Sequence, residues 1–588
     1  MARRRTEMGM DGNRHTGVGG QAAAASSLQA VGTRAHPADV VIVGAGATGG
    51  WAAKRLTEAG LRVVVLDAGR AFGPEDFREH IPAHALPLRA RTKAVIARTQ
   101  PQQAAGYPLT EWNADWFVND IDEPYTTPPG QPFPWVGRMR IVGGRTHVWG
   151  RQSYRYSDID FRAASRDGFG IDWPLSAADL APYYDEVERY VGITGINEGI
   201  PQLPDQRLQR PMGFSCVEAH VRATIGAGMG RTVTQGRTAN LTESINGRPK
   251  CHMCGPCERG CATFSYFNAA YTTVLDAEKT GRCRIVTQAM AAQVLMDRQT
   301  RRATGIRYVD RATRAHHEVY GHVVMLAAQA FESVRLLLNS AGPQDPAGLA
   351  NSSGVLGKYL LSHFTGFGAS ADFPAFHQPA DQNAPRKPTG LFVARFRNLD
   401  PQKPDPRFPR GYGYQGGGST SIEPDAGGFG AAYVAAVKAS GRTSVSLGGF
   451  GEPVPDARNQ VTIDPQAVDA WGIPAIRIDM RFSETDRAMM RDGAEQAAEM
   501  LEAAGGSNIR ITWAPRWASH EVGIARMGAD PKTSVLNQFQ QTHDVKNLFV
   551  VDGASMPSVG YVNPTLTMMA LAVRSCDYLI DAMKKGNV

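Results

Sequence analysis

Two uninterrupted apolar runs near the start of the chain predict buried parallel strands. They read VVIV at 40–43 and VVVL at 63–66, with no polar residue in either, which is the pattern of strands covered on both faces. Between them, Trp51, Ala52 and Leu56 follow a helical pattern, which ends at Gly60. The region therefore predicts a β–α–β unit.

A glycine-rich turn joins the first of these strands to the helix. Gly44, Gly46 and Gly49 stand at the G-x-G-x-x-G positions, and Asp67 follows the second strand. Such glycines let the backbone approach a pyrophosphate at the helix N-terminus, while the acid accepts a hydrogen bond from a ribose hydroxyl. We expect a dinucleotide here, and the motif alone does not distinguish FAD from NAD. The expected contacts are Gly44, Gly46, Ala47, Thr48, Gly49, Asp67 and Ala68.

Shorter alternating patterns occur further along the chain. TSVSLGG at 443–449 and NQVTIDP at 459–465 alternate apolar and polar residues, which predicts a largely antiparallel sheet within residues 351–519. The glycine-rich stretch GYGYQGGGSTS at 411–421 fits either a pocket-lining loop or a surface turn region.

Composition narrows the class of protein. The chain has 588 residues, too many for one simple core, with 42% hydrophobic and 20% charged residues, so we expect a globular protein of two or more domains. A net charge of +7 without a basic run interleaved with aromatics argues against nucleic-acid binding. No apolar stretch is long enough to span a membrane. Residues 1–37 predict a mostly disordered leader. Its start is basic, as in an export signal, but the segment that follows is rich in Gly, Ala and Ser rather than apolar, so an export signal is the weaker alternative.

Three segments carry a resemblance to a known family. They are the β–α–β unit, VGGRTHVWGRQSYRYSDIDF at 142–161, and the C-terminal stretch that contains HEVGIARMG at 520–528 and VDGASMPSVGYVNPTLTMM at 551–569. Together they resemble the glucose–methanol–choline (GMC) family of FAD oxidoreductases over residues 38–588. Ile524 stands where the family usually has Thr, and Ser362 stands where it usually has Asp.

The resemblance implies an α/β fold. It consists of a Rossmann-like FAD-binding domain of the GMC and glutathione-reductase type, and an α+β substrate domain built on a mostly antiparallel sheet. The FAD-binding domain would comprise residues 38–162, 215–350 and 520–588, with a cysteine-rich insert at 251–261. The substrate-binding domain would comprise residues 163–214 and 351–519.

The resemblance also implies a catalytic pair, His520 and Asn563. Alcohol oxidation needs a base for the hydroxyl proton while hydride leaves the carbon, and a histidine near neutrality suits that role. An amide beside it can hold the substrate oxygen. The alternative interpretations are a core histidine for His520 and a helix N-cap for Asn563, with Pro564 at the first helical position.

Further FAD contacts are implied by the family motifs. They are Gly143, Gly144, Thr146, His147, Ala291, Asp552, Gly553, Asn563, Pro564 and Thr565. His147 lies one position earlier than the histidine that links FAD covalently in some relatives, so ordinary contact of the Gly143–Gly144 turn with the flavin is the favoured interpretation over a covalent bond.

Four cysteines occur within eleven residues, in CHMCGPCERGC. Cys251, Cys254, Cys257 and Cys261 have the spacing C-x2-C-x2-C-x3-C, which is typical of ferredoxin-type iron–sulfur sites. Structural zinc usually draws its ligands from two separated knuckles, and four cysteines this close together would strain as disulfides. We expect an iron–sulfur cluster of the 3Fe-4S or 4Fe-4S type, with zinc and metal-free thiols as the alternatives.

The resemblance is strongest to bacterial sugar and glycoside dehydrogenases of the glucoside 3-dehydrogenase and glucose or gluconate dehydrogenase type. It implies oxidation of a secondary hydroxyl of a sugar or glycoside to a keto-sugar, with electrons leaving through the cluster. A small helper subunit and a cytochrome c acceptor are implied partners. Two alternatives within the family are oxidation at the anomeric carbon to a lactone and an oxygen-using pyranose-type oxidase. A flavin-free NAD-binding module is the alternative outside it.

Overall fold

The computed structural model describes residues 30–81, 93–378, 385–421, 428–439 and 441–588. Residues 1–29 of the expected leader lie outside this part. Residues 30–37 are described and differ from the expected disorder. Val31 is buried and its carbonyl accepts a hydrogen bond from Arg284, while the Gly32 carbonyl accepts one from the amide of Tyr320.

The elements of the described residues alternate irregularly between strands and helices. The strands are β1 Ala38–Val43, β2 Val63–Leu66, β3 Ile193–Thr194, β4 Leu208–Gln209, β5 Val233–Gln235, β6 Cys283–Val286, β7 Ala289–Asp297, β8 Arg302–Asp310, β9 His316–Leu326, β10 Phe364–Asp372, β11 Leu391–Val393, β12 Tyr412–Ser421, β13 Arg442–Gly451, β14 Gln460–Val468, β15 Pro474–Asp479, β16 Ser507–Trp517 and β17 Leu548–Val550. The α-helices are α1 Ala47–Glu58, α2 Lys93–Ile96, α3 Pro101–Ala104, α4 Asp158–Phe161, α5 Ala163–Asp167, α6 Ala177–Val191, α7 Cys216–Met229, α8 Thr273–Lys279, α9 Ala330–Asn339, α10 Gly430–Ala439, α11 Glu484–Ala503 and α12 Thr565–Lys584.

The first sheet, which we call the cofactor sheet, has seven strands. Its parallel part runs β6-β2-β1-β9-β17, and the first half of β9 pairs antiparallel with β8, which pairs antiparallel with β7. Val40, Val41 and Ile42 in its centre have no exposed surface. This burial on both faces is the reason for the continuous apolar run in the sequence, and the predicted β–α–β unit is confirmed as β1, α1 and β2.

The two ends of the chain meet on this sheet. Helix α12, near the C-terminus, packs along α1, and the Arg55 guanidinium contacts the Asp577 carboxylate at 2.6 Å. The loop before α1 and the start of α12 therefore lie in one region of the molecule.

The second sheet, which we call the antiparallel sheet, has six strands in the order β16-β10-β13-β12-β11-β5, and each neighbouring pair is antiparallel. Helix α11 covers it, and the buried Tyr412 and Tyr414 point toward that helix, where they bond Asp492 and Gly493. The stretch 411–421, expected as a loop or turn region, is strand β12.

The predicted division into two domains stays a prediction, and two elements depart from it. Strand β5 lies within the range 215–350 assigned to the FAD-binding domain, yet it pairs with β11 of the antiparallel sheet. Helix α6 lies within the range 163–214 assigned to the substrate domain, yet it packs on α12. None of the helices in the described ranges is long and apolar enough to cross a membrane.

Candidate active site

The glycine-rich loop ends at the N-terminus of α1, and its glycines have different surroundings. A Cβ on Gly49 would lie 1.9 Å from the Gly44 carbonyl oxygen, so the helix can start this close to β1 only without a side chain there. A Cβ on Gly46 would have no heavy atom within 4 Å. The open space at Gly46, in front of the free amides of a helix N-terminus, is where a pyrophosphate fits.

Asp67 closes the other side of this loop. Its carboxylate accepts hydrogen bonds from the backbone amides of Ala45 at 2.8 Å and Gly69 at 2.7 Å. Burial raises the pKa of Asp67, and the two backbone bonds oppose that shift. The two oxygens retain further lone pairs for a ribose hydroxyl, because an ionised carboxylate has about four acceptor positions.

The Gly143–Gly144 turn lies against the glycine-rich loop. A Cβ on Gly144 would lie 3.9 Å from the Gly46 Cα, so two motifs that are about a hundred residues apart in the sequence form one cleft. The hydroxyl of the buried Thr146 donates to the Gly143 carbonyl at 2.5 Å and accepts from the Ala269 amide. Thr146 therefore holds the turn together from behind the cleft.

His147 is buried with no exposed surface, behind the same turn. Its Nε2 lies 2.7 Å from the Val142 carbonyl oxygen and its Nδ1 lies 2.7 Å from the Asn268 amide nitrogen. The carbonyl can only accept and the amide nitrogen can only donate, so the proton sits on Nε2. Burial lowers the pKa of His147 to about 4. With both ring nitrogens bonded within the protein, this arrangement argues against a covalent bond to flavin.

The C-terminal motif residues form the third wall of the cleft. Asp552 is buried, and its carboxylate accepts from the Ser333 hydroxyl at 2.5 Å and the Ala554 amide at 3.0 Å. Burial raises the pKa of Asp552 to about 6. Gly553 and Pro564 are also buried, whereas Thr565, the first residue of α12, is half-buried.

Exposure separates the predicted cofactor residues into two groups. The half-buried ones have surface left for a ligand, namely Gly44, Gly46, Ala47, Asp67, Ala68, Gly144, Asn563 and Thr565. The buried ones support the walls. Ala291 is also half-buried, but it lies on β7, two residues beyond the amide of Ala289 that bonds the Asp67 carbonyl.

His520 sits at an irregularity between two paired segments. Phe364 pairs with Trp517 at the end of β10 and β16, but Leu361 pairs with Val522, so two extra residues lie on the side of His520. The Ser362 hydroxyl spans this irregularity, since it donates to the Ala518 carbonyl at 2.6 Å and accepts from the His520 amide at 3.3 Å. Such bulges redirect side chains near functional sites.

Arg145 connects His520 to the glycine loops. It follows Gly144, and its guanidinium bonds the Ser519 carbonyl at 3.1 Å and the Glu521 carboxylate at 2.6 Å, on either side of His520. His520 therefore lies beside the cleft.

Asn563 meets His520 at the start of α12. Its side-chain nitrogen lies 3.4 Å from His520 Nε2. The helix begins at Thr565 with Pro564 at the N-cap position, so the alternative interpretation of Asn563 as the N-cap is wrong. A substrate hydroxyl between the two groups could donate to the imidazole and accept from the amide.

Sequence reasoning missed His363 and Gln415. His363 has no exposed surface, and its Nδ1 lies 3.0 Å from His520 Nδ1. Gln415 of β12 donates from Nε2 to the Asn563 Oδ1 at 2.5 Å. A signal existed for His363, because it ends the family-like stretch LGKYLLSH at 356–363, whereas nothing local to Gln415 indicates its partner.

Burial sets the charge of this histidine pair. It lowers the pKa of His520 to about 4, with Glu521 acting to raise it and Arg145 acting to lower it further. It also lowers the pKa of His363, and the neighbouring His520 adds to that effect. Both imidazoles are therefore neutral at pH 7, which leaves His520 able to accept a proton.

The four clustered thiols lie in one loop beside the same region. All are free, Cys261 is buried, and Cys251, Cys254 and Cys257 are half-buried. Burial and then the other three thiols raise the pKa of Cys254 to about 11. The amide of Met253 donates to the Cys251 sulfur at 3.4 Å.

Within the described residues, no group of three or more His, Cys, Asp or Glu side chains is placed to hold a metal ion. That finding supports neither a zinc ion nor an iron–sulfur cluster at the four thiols. The expected cluster therefore stays a prediction that depends on the spacing of the cysteines.

Aromatic rings fill the space between the thiol loop and the cleft. Cys257 and Cys261 pack with Tyr266 and Tyr271, and the Tyr266 hydroxyl donates to the His147 carbonyl at 2.7 Å. His147 supports the Gly143–Gly144 turn, so the thiols lie one aromatic layer behind the cofactor cleft.

Comparisons with known proteins show what the chain as a whole resembles. Family models described as GMC oxidoreductase match residues 38–365 and 455–572. The chain is 32% identical to a 2-methyl-1,2-propanediol dehydrogenase of Mycolicibacterium austroafricanum, over 93% of this chain and 96% of that protein. It is 28% identical to a fructose dehydrogenase large subunit of Gluconobacter japonicus, over 93% of this chain and 99% of that protein. The solved structure of a pyridoxine 4-oxidase from Mesorbium loti has the same fold, with a TM-score of 0.59 and 18% identity over 92% of this chain and 99% of that one.

Proposed function

Because the chain belongs to the GMC oxidoreductase family, whose members are FAD-dependent enzymes that oxidise alcohol or sugar CH–OH groups, we propose that His520 and Asn563 are its catalytic pair. The observation that carries the proposal is the meeting of these two residues beside the cleft at Gly46. A neutral imidazole and an amide 3.4 Å apart can share one substrate hydroxyl.

The chemistry divides between the cofactor and the protein. Bound FAD would supply the acceptor for the hydride that leaves the substrate carbon. His520 Nε2 takes the hydroxyl proton, so the alcohol loses two electrons and two hydrogens and becomes a carbonyl compound. Asn563 Nδ2 donates to the substrate oxygen and holds it against the imidazole. Gly46, Asp67, Gly144 and Thr565 would contact the cofactor.

The experiment is anaerobic mixing of the FAD-loaded enzyme with candidate alcohols, with loss of the flavin's visible absorbance as the signal. We expect His520→Gln to slow this reduction about 10²–10⁴-fold, the usual contribution of a general base, and Asn563→Ala to slow it less. Both variants should retain FAD and the wild-type melting temperature. Wild-type reduction rates in His520→Gln would refute the proposal.

For the substrate we propose a secondary hydroxyl of a sugar or glycoside, oxidised to a keto-sugar. The similarity to a fructose dehydrogenase subunit supports a sugar, while the similarity to a diol dehydrogenase supports a smaller polyol. A panel of free sugars, methyl glycosides and 1,2-diols discriminates these. Turnover of a methyl glycoside, whose anomeric carbon is blocked, supports oxidation at a ring hydroxyl. Turnover of free sugars only, with a lactone product, would refute it.

We propose further that Cys251, Cys254, Cys257 and Cys261 bind an iron–sulfur cluster. Such a group carries single electrons, whereas hydride delivers two, so it would suit a dehydrogenase that passes electrons to a cytochrome c. The support is the four free thiols in one loop, one aromatic layer behind the cleft. A small helper subunit is proposed with it, since the name of the fructose dehydrogenase relative describes one subunit of a larger enzyme.

Iron and acid-labile sulfide are measured per FAD in protein purified without oxygen. We expect three or four irons. Cys254→Ser distinguishes the cluster types, because it removes one of the four thiolates that a four-iron cluster needs and leaves Cys251, Cys257 and Cys261 for a three-iron cluster. Cys216→Ser, at an exposed thiol outside the loop, is the matched control. Flavin without iron, together with peroxide formed during turnover, would favour the oxygen-using oxidase. Co-purification of a tagged chain from its native host tests the partners.

A further inference from the structure

Gln415 connects the antiparallel sheet to the catalytic pair. It lies on β12 opposite Gly448 of β13, and its half-buried side chain extends to α12, where Nε2 lies 2.5 Å from Asn563 Oδ1. The oxygen of an asparagine amide accepts hydrogen bonds and the nitrogen donates them. When one partner donates to the oxygen, the nitrogen is the atom left to face a second partner.

The proton positions of the whole group follow from that contact. With its oxygen bonded to Gln415, Asn563 turns its nitrogen to His520 Nε2, 3.4 Å away. An amide nitrogen only donates, so Nε2 must carry the lone pair and the imidazole proton must sit on Nδ1. His520 Nδ1 then donates to His363 Nδ1 at 3.0 Å. The three hydrogen bonds run in one direction, from Gln415 through Asn563 and His520 to His363.

We propose that Gln415 is a positioning residue that fixes the orientation of the Asn563 amide and thereby keeps the basic lone pair of His520 on Nε2, where the substrate hydroxyl binds. The proposal rests on the proposed function, since it requires His520 to be the base. It gives the antiparallel sheet a part in catalysis through Asn563, without contact between Gln415 and the reacting atoms.

Three substitutions at this position separate orientation from packing. In Gln415→Glu an ionised carboxylate can only accept, so Asn563 must turn its nitrogen to residue 415 and its oxygen to His520 Nε2. An acceptor facing Nε2 favours the protonated imidazole and raises the His520 pKa. We expect the fall of kcat/KM in acid, which we call the acid limb, to move to higher pH. We also expect kcat at pH 7 to fall about tenfold or more, approaching the smaller rate losses seen when a general base is removed.

The other two variants separate loss of the hydrogen bond from a change in the length of the side chain. Gln415→Met keeps the length but neither donates nor accepts strongly, so kcat should fall with the acid limb in its wild-type position. Gln415→Asn has a shorter side chain with the same donor group, so its kcat should exceed that of Gln415→Met if the strand can shift. In the Asn563→Ala background none of the three should lower kcat further, because residues that act through one another have non-additive effects.

The outcomes separate this inference from the proposed function. If His520→Gln is slow while all Gln415 variants retain the wild-type kcat and acid limb, Gln415 does not position the pair and the inference fails alone. If His520→Gln is as fast as wild type, the proposed function fails and the inference with it. Equal losses in the wild-type and Asn563→Ala backgrounds would assign Gln415 a structural role only. FAD content and melting temperature check that each variant is folded.

Discussion

At the scale of single residues, three histidines carry the same imidazole group but lie in different surroundings. His147 bonds Val142 and Asn268 within the core, His363 contacts His520, and His520 alone has a half-buried ring that faces both Asn563 and the cleft. Burial opposes the charged form of all three. The difference in proposed role therefore comes from the half-buried ring of His520 and its contact with Asn563, not from the pKa.

The pH dependence of turnover should reflect His520. Because burial lowers its pKa to about 4, the imidazole stays able to accept a proton well below pH 6.5. We expect kcat/KM to stay nearly constant from about pH 7 to about pH 5 and to fall as the pH approaches 4, measured with a substrate that does not titrate there. Arg145→Met should move this fall to higher pH, since Arg145 lowers the pKa of His520. A midpoint at or above 6.5 in the wild type would contradict the prediction.

Stability in acid should reflect His147. Its pKa falls from 6.5 when unfolded to about 4 when folded, so its neutral form is the stable one in the fold. The contribution is fully present above pH 6.5 and is lost as the pH falls toward 4, on the order of 3 kcal/mol at 1.36 kcal/mol per pKa unit.

Denaturant unfolding at pH 7 and at about pH 4.5 measures this loss. We expect His147→Gln to be less stable than wild type at pH 7 but to lose less stability on acidification. His316→Gln, at an exposed position, should lose as much stability on acidification as the wild type does. Equal acid losses in wild type and His147→Gln would contradict the assignment.

At the scale of elements, the site depends on places where regular structure stops. The proposed cofactor cleft lies at the loop between β1 and α1, and the proposed catalytic histidine, His520, lies in the irregularity between β10 and β16. Asn563 precedes α12. Each of these places leaves backbone or side-chain groups that are not used by a helix or a sheet. The ordered elements on either side fix their positions.

Alanine substitution at two glycines of the β1–α1 loop should affect two different properties, FAD binding at Gly46 and stability of the fold at Gly49. In Gly46→Ala the new methyl group enters open space at a φ of −79°, which alanine accepts, so the protein should fold with an unchanged melting temperature without FAD but retain little FAD. In Gly49→Ala the methyl group meets the Gly44 carbonyl and should destabilise the fold by about 1–3 kcal/mol. FAD per protein and melting temperature after FAD removal distinguish the two. Full FAD retention in Gly46→Ala would exclude this loop as the pyrophosphate site.

At the scale of the whole molecule, the site is assembled from both ends of the chain and from the antiparallel sheet. Gly46 is near the N-terminus, Asn563 is near the C-terminus, and Gln415 comes from β12. On the proposed function, a cofactor bound in the cleft would contact the first two regions at once.

FAD should therefore stabilise the chain as a unit. A ligand that binds only the folded state at about 100 times its Kd adds about 2.7 kcal/mol. We expect one cooperative thermal transition that moves to higher temperature with added FAD, and a much smaller shift in Gly46→Ala at the same FAD concentration. Two separate transitions, only one of them moved by FAD, would show that the chain ends do not share the cofactor.

The local patterns of the sequence were sufficient for the β–α–β unit and for the family. Val40 to Val43 are apolar because β1 is buried on both faces, and Gly44, Gly46 and Gly49 occur at fixed spacing because a tight turn requires them, so both signals are contained in a few adjacent residues. The same holds for the motif around His520 and Asn563. The role of each residue stays a prediction, as does the cluster at Cys251–Cys261.

Only the tertiary structure decided which distant groups meet. Gln415 and Asn563 are separated by 148 positions, and their contact depends on how the antiparallel sheet packs against the helix that follows Asn563. His363 and His520 are separated by 157 positions and meet because strands β10 and β16, which lie beside them, pair with each other. No periodicity of the sequence relates the members of either pair. Exposure was decided in the same way. His147 and His520 both stand in family-like motifs, yet packing closed the surroundings of the first and left the second open to the cleft.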